Sequence, residues 1–160
     1  MKLIKENYQF FILILLLFSI DRITKIKILD ILQNKNFIFV NDFLNLTLVF
    51  NTGIGFGLLS FDEIIYYNLI TLFILLIILI LFVYMLKSSN REKLFFSLII
   101  GGAIGNLYDR FFFQAVPDFI DFHFGEYHWF TFNIADIFIS TGVIFMILNE
   151  LMPKKLKNEN

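Results

Sequence analysis

The chain has 160 residues, of which 58% are hydrophobic, 19% aromatic and 17% charged, with a mean hydropathy of +0.76. That is long enough for one domain and far too apolar for a water-soluble fold with a polar shell. A formal net charge of −1 without a basic patch offers no footprint for nucleic acid, and with no Cys there are no disulfides, thiolate metal sites or cysteine nucleophile. His123 and His128 are too few for a histidine-based zinc site, so no metal is expected.

Residues 1–6 carry Lys2 and Lys5, and an apolar run follows from Tyr8 to Ile20. The run has the look of a cleavable leader, but no small-residue cleavage site follows it. Instead come Asp21, Arg22, Thr24, Lys25 and Lys27. Taken on to Asp30, residues 8–30 form a helix long enough to cross a bilayer at about 1.5 Å per residue. Charges in its outer half are costly in hydrocarbon unless they face a cavity or a partner, which marks that end as functional.

Between residues 31 and 63 the composition changes. Leu44-Asn45-Leu46-Thr47-Leu48 alternates apolar and polar, the period of a strand. Asn51-Thr-Gly53-Ile-Gly-Phe-Gly57 follows, where glycine breaks regular structure and lets backbone approach closely. This segment reads as a small extramembrane sheet on the bilayer surface. Residues 64–86 are an uninterrupted apolar span, 87–93 a polar turn, and 94–111 a third span whose Gly101, Gly102, Ala103 and Gly105 permit close helix contact. Residues 116–136 read as a short loop with Asp118 near one end and Asp136 at the other, about one turn into the next helix, with Asn133 placed to cap it. Residues 134–152 are a fourth span, ending at Pro153 and the basic Lys154, Lys155 and Lys157. The expected fold is an all-α integral membrane protein: four transmembrane helices and a small extramembrane β-cradle, in one domain over 1–160.

Orientation follows from basic residues. The N-terminus, the 87–93 turn and the C-terminal tail hold Lys2, Lys5, Lys87, Arg91, Lys93, Lys154, Lys155 and Lys157, whereas the other two loops hold Lys35 alone, apart from residues at helix ends. Both termini are therefore expected in the cytoplasm, with 31–63 and 112–133 outside.

Four polar clusters then fall at one depth: Asp21 with Lys25, Asn51 with its glycines, Asn106 with Asp109 and Arg110, and the Asp118–Asp136 pair. In so apolar a chain their convergence is the signal. Two carboxylates sharing a site cannot both ionise cheaply, which suits aspartic peptidase chemistry: one takes a proton from water while the other, protonated, polarises the scissile carbonyl. Plainer readings stand beside this one. Asp118 and Asp136 can be a solvated loop acid and a helix-start acid, and Asp121 is a rival partner for Asp118. Asp109 and Arg110 can pair at the interface, and Asp21 and Lys25 at i, i+4 on a helix surface. Gly101, Gly102 and Gly105 suit helix packing, not a phosphate cradle. Tyr127, Trp129, His123 and His128 suit an interfacial belt without a chemical role. A second functional class is a transporter or channel subunit. A conducting path needs polar groups in the inner half of the membrane, and here they stop about halfway. A scaffold without chemistry leaves the buried charges unexplained.

Five stretches together resemble the bacterial lipoprotein signal peptidases (signal peptidase II): Asp21-Arg-Ile-Thr-Lys25, Asn51-Thr-Gly53-Ile-Gly-Phe56, Gly101-Gly-Ala-Ile-Gly-Asn106-Leu-Tyr-Asp109-Arg110, Val116-Pro-Asp118-Phe and Phe132-Asn133-Ile-Ala135-Asp136. They occur in the family's order over nearly the whole chain. The resemblance implies an endopeptidase of the bacterial inner membrane that removes signal peptides from diacylglyceryl-modified prolipoproteins, just before the lipidated cysteine of the lipobox, without metal or cofactor. It implies Asp118 and Asp136 as the catalytic dyad. Asn51, Asn106, Arg110 and Asn133 would orient the dyad or hold the substrate backbone, with Gly53, Gly102 and Ala135 in the same motifs and Asp21 and Lys25 in support. The expected partners are prolipoprotein signal peptides and membrane lipids, not nucleic acid, and the chain is expected to act as a monomer. Pro117 and Gly55 depart from the family pattern, where Val or Ile and Ala are frequent. Pro117 fixes the local backbone and removes an N–H, which bears on the loop's detail more than on catalysis.

Overall fold

The computed structural model describes residues 2–33, 35, 37–53 and 64–152. Gly55, Phe56 and Gly57 of the glycine-rich stretch, and the tail from Pro153 with Lys154, Lys155 and Lys157, lie outside the described residues. Among the described residues there are four helices: α1 (Lys2–Leu32), α2 (Ile64–Lys87), α3 (Asn90–Phe113) and α4 (Ile134–Leu151). Four strands accompany them: β1 (Phe37–Asn41), β2 (Leu44–Asn51), β3 (Val116–Phe124) and β4 (Tyr127–Phe132). The sheet is antiparallel in the order β1-β2-β3-β4.

The sheet corrects one expectation. Residues 116–136 are not a loop but a hairpin that joins the strands of the first outer segment. Asp118-Phe-Ile-Asp-Phe-His-Phe124 is extended, a turn at Gly125-Glu126 with Gly125 at φ +57° follows, and β4 returns. Glycine adopts that left-handed conformation at no steric cost. Thus β2 and β3, separated in sequence by α2 and α3, pair side by side, with Val49 opposite Asp118 and Asn51 opposite Val116.

Two of the helices, α2 and α4, are long and apolar enough to cross a membrane. On α2 Tyr67, Thr71, Ile78 and Met85 are buried and Ile74, Leu75, Leu81, Phe82 and Leu86 pack partly against the core, while the outer face is mostly exposed hydrocarbon such as Ile65, Phe73 and Tyr84. The helices α1 and α3 are as long but carry Asp21, Arg22 and Lys25, and Asp109 and Arg110. Helix α3 starts earlier than its apolar run because Ser89 and Glu92 form a capping box: the Ser89 side chain accepts from the Glu92 N–H, and the Glu92 carboxylate from the Ser89 N–H.

Helix α3 is the hub, packed against α1, α2 and α4. Glycines set the separations. A Cβ on Gly102 would lie 2.4 Å from the Ala135 carbonyl oxygen of α4, and one on Gly105 would lie 2.4 Å from Asp21 Oδ2 of α1. One apolar cluster inside the bundle joins Phe10, Ile14, Ile78, Met85, Ile100 and Leu107. A second, of Ile28, Leu32 and Phe119 with Ile38, Leu46, Leu48, Ile120 and Ile134 around it, docks the sheet on the end of α1. Where this second cluster leaves water, each large side chain contributes about 1.5–3 kcal/mol.

Candidate active site

The site forms where the sheet meets the helix ends. Asp118 lies on β3, 2% exposed, and Asp136 lies in the first turn of α4, 8% exposed. Between them stands Asn133, wholly buried, as the N-cap of α4. Its side-chain oxygen accepts from the Asp136 N–H at 3.1 Å, and its own N–H donates to Asp136 Oδ2 at 3.1 Å. Its amide nitrogen donates to Asp118 Oδ1 at 2.6 Å. One residue therefore ends the sheet, starts the helix and holds both carboxylates.

Each carboxylate has a second amide donor. Asn51 Nδ2 donates to Asp118 Oδ2 at 2.9 Å, while Asn51 Oδ1 accepts from the Gly53 N–H at 2.8 Å and closes a local turn. Asn106 Nδ2 donates to Asp136 Oδ1 at 2.8 Å. Burial pushes the Asp118 carboxyl up to about 6; the nearby Asp136 charge adds to the rise, and the Asn51 and Asn133 amides oppose it.

Behind Asn106 lies a buried charge cluster. The Lys25 ammonium donates to Asp21 Oδ2 at 2.9 Å, Asn106 Oδ1 at 2.8 Å and Asp109 Oδ2 at 2.7 Å, which uses all three of its protons. The Arg22 guanidinium pairs with the other Asp109 oxygen and lies over the Tyr108 ring at 4.7 Å. Asp21 Oδ1 accepts from the Ala135 N–H at 3.1 Å, an orphan donor at the start of α4. Two cations face two carboxylates, so the cluster is neutral as a unit. Lys25 fixes the Asn106 oxygen and so turns the amide nitrogen toward Asp136.

Arg110 is the cation left over beside the dyad. It is 5% exposed, donates through Nη2 to the Gly53 carbonyl and lies over the Tyr67 ring at 5.5 Å; its Nη1 has no hydrogen-bond partner among the described residues. A cavity of about 240 Å³ opens beside Asp136, with walls from Phe130, Phe132, Ile137 and Ile144. The site thus offers two buried carboxylates on amide donors, a spare guanidinium and an apolar space alongside.

All the residues singled out in the sequence meet here: Asp21, Lys25, Asn51, Gly53, Gly102, Asn106, Arg110, Asp118, Asn133, Ala135 and Asp136. Three alternatives are corrected. Asp109 does not pair with Arg110, since adjacent helix residues point apart; it pairs with Arg22 and Lys25. Asp121 is three residues from Asp118 on a strand, hence on the opposite face, and it pairs with His128 at 2.8 Å. His123 is buried, not interfacial, and neither ring nitrogen has a hydrogen-bond partner among the described residues. The pairing of Arg22 with Asp109 was not foreseen. Charge counting signals it: with Asp21 matched to Lys25, Asp109 needs another cation at the same depth.

A sequence-family model described as signal peptidase (SPase) II matches residues 13–152. The chain belongs to the signal peptidase II family. A lipoprotein signal peptidase of Pelagibacter ubique (strain HTCC1062) is 48% identical over 98% of this chain and 97% of its own length. One from Francisella tularensis subsp. novicida (strain U112) is 40% identical over 97% of this chain and 99% of its own. Two solved structures described as bacterial membrane enzymes share the fold. One superposes with a TM-score of 0.78 at 29% identity, over 95% of this chain and 93% of the other. The second gives 0.72 at 31% identity, over 89% and 92%. Membership in the signal peptidase II family makes the chain a protease of bacterial membranes.

Proposed function

We propose that the chain is an intramembrane aspartic endopeptidase that removes the signal peptide from diacylglyceryl-modified prolipoproteins, cleaving just before the lipidated cysteine. In this reading all four helices span the inner membrane as one domain, both termini are cytoplasmic, and the sheet lies over the outer face. The observation that carries it is Asn133, bonded to Asp118 and Asp136 at once and tying them into one unit.

The chemistry follows from the surroundings of each acid. Asp136 sits in the first turn of α4, at the positive end of the helix dipole, and serves in this reading as the base that takes a proton from water. Asp118, whose acidity burial weakens, holds the shared proton, polarises the scissile carbonyl and later helps protonate the leaving amine. The pair titrates as a unit. Arg110 Nη1 supplies a donor for a substrate backbone carbonyl. A lipid-bearing helical substrate enters sideways from the bilayer, and the apolar cavity beside Asp136 receives its hydrocarbon.

The test is cleavage of a diacylglyceryl-modified prolipoprotein by wild type, Asp118→Asn and Asp136→Asn. Wild type is expected to cut before the lipidated cysteine, with both folded variants losing at least about a thousandfold in kcat, the scale of losing a reacting group. Near-normal activity in either variant would remove that residue from the mechanism.

A further inference from the structure

A Ser or Thr on a membrane helix has a standard partner. Where no water reaches it, its hydroxyl turns back onto the backbone carbonyl one turn earlier. Helices α1, α2 and α3 do this at each of their Ser and Thr residues. Ser19 donates to the Leu15 carbonyl at 2.7 Å, Thr24 to Ile20 at 3.0 Å, Thr71 to Tyr67 at 2.9 Å and Ser97 to Lys93 at 2.7 Å. Ser140 and Thr141 of α4 depart from the rule: neither hydroxyl has a hydrogen-bond partner among the described residues.

Both residues line the cavity of about 240 Å³ beside Asp136, together with Phe130, Phe132, Ile137 and Ile144. Ser140 comes four residues after Asp136, hence on the same helix face and about 6 Å further along α4. Two O–H donors in a hydrocarbon wall discriminate among ligands. A bare acyl chain leaves them unpaired. A phosphate headgroup finds no cation among the lining residues and meets an acid, Asp136, instead. An uncharged carbonyl at the head of a hydrocarbon chain suits both the donors and the wall.

We infer that Ser140 and Thr141 donate to the ester carbonyls of the substrate's diacylglyceryl group. The inference rests on the peptidase reading above and names the contact that holds the lipid in the same site. The lipidated cysteine directly follows the scissile bond. With that bond at Asp118 and Asp136, the glycerol lies within a few bonds of the dyad. In the orientation proposed, α4 runs inward from Asp136, and the acyl chains run inward from the glycerol. The esters that join glycerol to chain therefore come level with Ser140 and Thr141 before the chains reach Ile144.

The experiment uses the full chain in lipid nanodiscs and one prolipoprotein in two forms, carrying either the diacylglyceryl group or a dialkylglyceryl ether without the carbonyl oxygens. The readout is the ratio of kcat/KM for ester over ether, in wild type and in the double variant Ser140→Ala, Thr141→Val. Any general folding defect lowers both rates and cancels in the ratio. Wild type is expected to prefer the ester, and the double variant to lose roughly two- to tenfold of that preference, the scale of a neutral hydrogen bond. A wild type without preference overturns the ester contact while the peptidase stands. So does a double variant that slows both substrates alike, which would assign the hydroxyls to peptide carbonyls or to the fold, or one that slows neither. A wild type that cleaves neither substrate overturns both readings.

Discussion

At the scale of the residue, the proton proposed for Asp118 makes the sharpest demand. An aspartate ordinarily titrates near 3.8, and here burial carries it to about 6. Between those values the folded chain binds more protons than the unfolded one, so stability falls as pH rises. The contribution of Asp118 is most favourable below about 4 and is lost as pH passes 6, a change of about 3 kcal/mol. The proposed mechanism uses the same proton, so on that reading kcat/KM is expected to decline on the alkaline side once pH rises beyond about 6. A pH profile of cleavage, with melting temperatures in the same buffers, measures both. A flat profile from about pH 5 to 9 would count against Asp118 as the proton holder.

At the scale of the element, the four helices and the N-cap at Asn133 were legible, because long apolar runs and a capping residue act locally. The β3–β4 hairpin was not. Asp118-Phe-Ile-Asp-Phe-His-Phe124 is nearly all aromatic and acidic, and among membrane spans its rings read as an interfacial belt. The missed signal was a short turn, Gly125-Glu126, between two aromatic runs. The pairing of β2 with β3 is not local at all; it depends on where α2 and α3 return the chain. Helix contact, in contrast, could be read from the glycines, and it makes a prediction. In Gly102→Ala the new methyl meets the Ala135 backbone oxygen, and backbone cannot swing aside as a side chain can. The α3–α4 spacing must widen, carrying Asp136 away from Asn106. Loss of most activity is expected, with destabilisation of about 1–3 kcal/mol, read from cleavage rate and thermal melting. A fully active, equally stable Gly102→Ala protein would show that the close approach is not needed.

At the scale of the whole molecule, α1, α3 and α4 are fastened by a charge cluster with no net charge. Lys25 touches Asp21, Asn106 and Asp109, and Asp21 in turn holds the Ala135 N–H. Lys25→Met leaves two buried carboxylates short of a cation, and breaking such a pair from one side costs about 3–5 kcal/mol. The double variant Asp21→Asn, Lys25→Met restores the balance, so its melting temperature is expected above that of Lys25→Met alone. Simple additivity of the two losses would mean that the residues act independently.

The division of the two acids has a consequence for how such a chain is made. Asp118 rides on a strand and Asp136 on the helix after it, and the donors that align them come from β2, α3 and the residue joining β4 to α4. With Asp118 and Asp136 as the proposed catalytic pair, a nascent chain released segment by segment into the bilayer holds no peptidase until α4 has been laid against α3. On the same reading, a product that stops before residue 136 is expected to be inert toward the lipids and proteins around it. On that reading proteolytic competence arrives only when α4 is in place.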